Sequence, residues 1–77
     1  MTITAIIAEY NAACCDTASA HRRYLAFCQD VRDARRRNDA EGEAEFEACM
    51  DDAWAEYQYC LGIEYGLQYA LKALGEL

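Results

Sequence analysis

Five cysteines and a single histidine are the side chains of this 77-residue chain best suited to covalent or metal chemistry. Cys14, His21 and Cys28 fall on one helical stripe, seven residues apart. Seven residues are about 10.5 Å of helix, whereas zinc ligands stand about 2.0–2.3 Å from a shared ion. The three cannot close one site from a single helix. The same spacing holds His21 away from both thiols, and a cysteine nucleophile needs its base within hydrogen-bond reach. The chain has no HExxH, no GxSxG and no Gly-rich phosphate loop. The expectation is a protein that is not an enzyme, with no cofactor and no metal.

The cysteines acquire a second reading if the chain folds back on itself near Asn38. Cys28 then faces Cys49, and Cys14 or Cys15 approaches Cys60. In placing cysteines across a two-helix seam the pattern resembles the stapled hairpins of the twin CX9C family. It departs from them in spacing, with CX13C from Cys14 to Cys28 and CX10C from Cys49 to Cys60. The two rungs then differ by about 4 Å along the axis, and a fifth cysteine has no partner. Buried, reduced thiols packing as small hydrophobes are expected, with a cysteine-stapled structural hairpin as the alternative.

Acidic and aromatic residues point to binding. Glu41, Glu45, Asp52 and Glu56 project along one side of a second helix, and Glu43, Glu47 and Asp51 along the other. Attraction of acids to a helix N-terminus fades within the first turn, and no lysine or arginine stands between Asp39 and Lys72. The formal charge of −7 disfavours anionic membranes and non-specific contact with nucleic acid. It suits a protein partner with a basic surface. Arg22, Arg36 and Arg37 do not alter this, because Asp30 and Asp33 interrupt them. Trp54 sits beside Met50, Tyr57 and Leu61, and tryptophan and tyrosine are favoured at interfaces. The candidate partner-binding residues are Trp54, Tyr57, Tyr65, Glu45, Asp52 and Glu56. His21 falls level with Glu56 and reads as a partnered structural histidine. Glu64 stands among apolar positions, where a polar residue can fix helix register.

Two long helices must carry these groups. Ile3, Ile7, Tyr10, Cys14, Thr17, His21, Tyr24, Cys28 and Val31 recur at alternating steps of four and three, with Ile6, Ala13, Ala20, Phe27 and Ala34 beside them. This predicts a helix over about 2–37. Its weak spot is Cys15–Ala20, where Asp16, Thr17 or Ser19 could cap a new helix. Arg32, Arg35, Arg36 and Arg37 suit its C-terminal dipole. Asn38 reads as the next N-cap, with Glu41 completing a capping box, and a second helix follows over about 39–75. From Tyr57 onward that helix is apolar all round, which predicts burial on more than one side. Leu61, Gly62, Gly66, Leu67, Ala70, Leu71 and Leu74 are the candidate dimer interface, its small residues allowing a close second backbone.

Composition agrees. There is no proline, and 55% of residues are hydrophobic. The chain is long enough for one domain over 1–77, and a core this small needs a staple, a metal or a second chain. No charged n-region precedes the first apolar run, and no stretch reaches about 18 apolar residues. The cytoplasm is the expected compartment. The fold class expected is all-α, an antiparallel two-helix hairpin forming a homodimeric four-helix bundle. The expected function is binding of a larger protein as its regulator or inhibitor, a phage-type antagonist included. The alternative is an acidic nucleic-acid mimic of anti-defence type that blocks a basic nucleic-acid-binding surface.

Overall fold

The computed structural model describes residues 2–77. Two α-helices, α1 (Ile3–Arg36) and α2 (Ala40–Ala73), pack against each other as a hairpin. The molecule is a rod with extents of 53 × 15 × 13 Å. α1 runs unbroken through Cys15–Ala20. There the Thr17 hydroxyl donates to the Ala13 carbonyl at 2.9 Å, so the one buried polar side chain among the described residues is satisfied without a new cap. Among the described residues no helix is long and apolar enough to cross a membrane.

The turn differs from its expected chemistry. Asn38 is not the N-cap of α2. It has φ 56°, and it ends α1. The Asn38 N–H reaches the Arg35 carbonyl at 3.1 Å and the Asp39 N–H the Ala34 carbonyl at 2.9 Å, a Schellman motif. Asparagine tolerates the left-handed region, which makes it a natural stop. Asp39 is the N-cap, its carboxylate accepting from the Gly42 N–H at 2.9 Å. The residue three past this cap is glycine, so no capping box with Glu41 forms. A Cβ on Gly42 would collide with the Asp39 carboxylate, which gives that glycine its reason. The same stop recurs at the far end of α2, where Gly75 has φ 77° and the Glu76 N–H donates to the Leu71 carbonyl.

The seam runs through Ala13, Thr17, Ala20, Tyr24, Phe27, Val31 and Ala34 on α1. Its buried apolar members are Ala13, Ala20, Val31, Ala34, Ala53 and Leu71. Small side chains let the helices approach closely, and none of the described large side chains is fully enclosed. Ala34 has 0% exposure. Ala34→Leu is expected to lower unfolding stability by about 1–3 kcal/mol through overpacking. Asp39→Ala is expected to cost about 1 kcal/mol through loss of the cap. Urea denaturation followed by circular dichroism measures both.

Candidate functional site

The seam divides the surface into two opposed faces. A helix turns about 100° per residue, so residues just after a seam position flank it on one side and residues just before it on the other. Cys14, His21 and Cys28 follow seam positions 13, 20 and 27, while Asp16, Arg23 and Asp30 precede 17, 24 and 31. On α2, Trp54 and Leu61 follow Ala53 and Cys60, and Cys49 and Glu56 precede Met50 and Tyr57. Contacts across the seam join like with like. Trp54 meets Tyr24 on one face, and Arg23 donates to Glu56 on the other.

The first face carries a chain of four rings. His21 and Tyr57 have centroids 4.9 Å apart, Tyr57 and Trp54 5.7 Å, and Trp54 and Tyr24 5.0 Å. The tilted arrangements suit aromatic quadrupoles. Trp54 is nonetheless 46% exposed, and Leu25 stands exposed near it on α1. Asp51, one turn before Trp54, lies near enough to Tyr24 to raise the pKa of its hydroxyl, after larger effects from a hydrogen bond with Cys28 and from burial. At the turn end of this face Arg35 donates to Glu43 and, at 3.2 Å, to Glu47. The hydrogen bond and charge of Glu43 hold its guanidinium above the usual pKa.

The second face gathers Arg23, Phe27, Cys49, Asp52, Ala53 and Glu56 around a shallow groove of about 190 Å³. Glu45 lies one heptad before Asp52 on the outer side of α2 and is exposed. Trp54 and the acids Glu45, Asp52 and Glu56 were expected on one surface; the fold puts the indole and these acids on opposite flanks. Tyr57 belongs to the aromatic chain, and Tyr65 lies exposed farther along α2. The acidic row is also less isolated than α2 alone suggests. Its counter-charges come from α1, with Arg23 on Glu56 and Arg35 on Glu43 and Glu47. His21 comes level with this part of α2 but takes Tyr57 rather than Glu56 as its partner, because it flanks the seam on the side away from Arg23.

The expectation of buried thiols is corrected. All five cysteines are free, with Cys15 and Cys49 exposed and Cys14, Cys28 and Cys60 half-buried. Cys49 lines the groove with Phe27, and Cys14 lies within the influence of Glu64. Among the described residues no three His, Cys, Asp or Glu side chains are grouped to hold a metal ion. Of the expected dimer residues, Leu71 is taken up by the hairpin's own core at 2% exposure. Leu61, Leu67 and Ala70 are half-buried, and Leu74 is exposed. Gly62 and Gly66 face outward with nothing within 4 Å of a Cβ built on them.

Glu64 is the polar group that periodicity placed in the seam. The Cys14 thiol has its pKa raised from the ordinary 9.0, first by its interaction with the Glu64 carboxylate and then by burial. Cys14 in turn raises the Tyr10 hydroxyl from its ordinary 10.0. A thiol held up in this way is a poor nucleophile near neutrality. No protein-family profile, curated protein sequence or solved structure matches this chain.

The sign of the pH dependence follows. Cys14, Tyr10 and Tyr24 are held in their neutral forms by the fold, so their contribution is present below the ordinary values and lost as pH rises through the raised ones. The melting temperature is expected to fall as pH climbs above 9, and less steeply in Glu64→Gln. Thermal melts in a pH series from neutral to alkaline check this, and an identical fall in the variant would refute the role of Glu64.

Proposed function

We propose that this chain is a non-catalytic protein that acts by binding a larger protein, as its regulator or inhibitor. The aromatic chain around Trp54 carries the reading. Its indole already touches two rings and still leaves 46% of its surface in water. A rigid, half-exposed Trp flanked by Tyr has the composition of a binding hot spot. Asp51 beside it favours a partner that surrounds an apolar pocket with basic residues. The reading includes self-association as a homodimeric four-helix bundle. Support for that part comes from the accessible surface of 5268 Å², against roughly 4,700 Å² for a compact monomer of 8.7 kDa. The nucleic-acid mimic is less favoured, because Arg23 and Arg35 neutralise part of the acidic row.

Affinity capture with wild-type and variant chains tests the binding face. Trp54→Ala is expected to keep its helical circular dichroism and weaken capture by about 30-fold or more, the scale of a hot spot of 2 kcal/mol. Reversal of Glu45, Asp52 and Glu56 together to lysine is expected to change capture by only a few-fold. If the triple reversal abolishes capture and Trp54→Ala spares it, the acidic face is the true site.

A further inference from the structure

Charge and exposed apolar surface are segregated along the rod. Divide each helix at its middle, after Ala20 on α1 and before Tyr57 on α2. Of 7 basic and 14 acidic residues, only Lys72, Glu9, Asp16, Glu64 and Glu76 lie in the open half, away from the turn. The exposed large apolar side chains show the reverse. All of them except Leu25 and Trp54 lie in that open half. On α2 the only charged side chain between Glu56 and Lys72 is Glu64, and it points into the seam toward Cys14. The outer side of α2 over this stretch is therefore uncharged. It presents Tyr59 at 71% exposure, Tyr69 at 78%, Ile63, Tyr65 and the open backbone at Gly62 and Gly66.

We propose that a second copy of this chain docks on this outer face, α2 against α2, with the two turn ends pointing in opposite directions. The inference rests on the self-association reading above and narrows it to one surface and one orientation.

Area and charge select the occupant. An aromatic side chain offers about 150–250 Å². Three mostly exposed tyrosines, with Ile63 at the edge of the face, thus hold on the order of 500 Å² per chain. That is in the upper part of the roughly 300–600 Å² of a monomer's largest patch, and over half of the roughly 800 Å² per partner of a standard interface. An uncharged face offers nothing to a strongly charged partner, but it can meet its own copy across a two-fold axis. The charge on α2 then sets the orientation, because its half before Tyr57 carries seven acids from Glu41 to Glu56 and no base. Turn ends side by side would bring two acidic halves within the screening length of about 8–10 Å. Opposed turn ends overlap only the later halves of α2, whose outer sides carry no charge between Glu56 and Lys72. The product is a two-headed rod with a Trp54 cluster toward each end.

Sedimentation equilibrium and small-angle scattering of the full chain in reductant provide the test. Twice the 8.7 kDa mass is expected. Each helix half spans about 26 Å at 1.5 Å per residue. A dimer overlapped by that length has a maximum dimension of roughly 80 Å, against 53 Å for one hairpin. Ile63→Glu with Tyr69→Glu is expected to raise the dissociation constant by about 100-fold or more while helicity remains. Trp54→Ala is expected to leave the mass unchanged. A monomer at all concentrations would overturn both this placement and the wider self-association reading. A dimer only about 53 Å long, or one that survives the double variant, would overturn the placement alone.

Discussion

Two helices share one line of contact, and that line has no interior. This constraint decides where every large side chain of the hairpin goes. Ala13, Ala20, Ala34 and Ala53 fill the closest approach, and among the described residues no buried side chain is larger than Leu71. Each aromatic ring is therefore pushed to a flank or to the outer surface. The hydrophobic stabilisation available inside one hairpin is correspondingly small, since it scales with the apolar area removed from water. A chain that is 55% hydrophobic but encloses so little carries its remaining apolar surface outside. Extra surface of this kind in a small protein usually marks a place of contact.

Electrostatics complements packing along the rod. Near the turn, arginines at the end of α1 and acids at the start of α2 each suit their helix dipole. The antiparallel fold then brings the two groups together, so Arg35 serves Glu43 and Glu47 and stiffens the turn from outside. Exposed pairs of this kind contribute little each. Their effect here is to fix register at the turn, while Arg23 and Glu56 fix it near the middle. With register fixed, the rings of His21, Tyr24, Trp54 and Tyr57 have only one way to meet.

The fold was legible in the sequence because steps of three and four persist for over thirty residues in each helix. Helices read at 2–37 and 39–75 lie at Ile3–Arg36 and Ala40–Ala73. The turn was less legible, since Asn38 and Asp39 both suit caps and only backbone geometry tells a left-handed stop from an N-cap. The division of the binding residues was not legible in a list of apolar positions. It depends on whether a residue stands one before or one after a seam position, and the seam's centre is known only once the partner helix is placed. Ile3, Ile7, Cys14 and His21 look like the stripe's axis in sequence, yet the alanine row beside them is the true line of contact. The signal was present in Ala13, Ala20 and Ala34, whose small size marks the closest approach.

Glu64 shows how a single polar residue can be placed by packing rather than by charge. It is half-buried in the seam, where a carboxylate normally needs a partner. Cys14 is the neighbour whose thiol its charge holds neutral, and Tyr10 on the same helix is raised by Cys14 in turn. The contact removes the only charge that α2 carries between Glu56 and Lys72 from its outer surface. Leucine at this position would pack as well but would not distinguish one register from a neighbouring one, whereas a carboxylate loses its place beside Cys14 if α2 slides by a turn. Placing the charge inside thus specifies the hairpin and leaves the outer face of the helix free of repulsion.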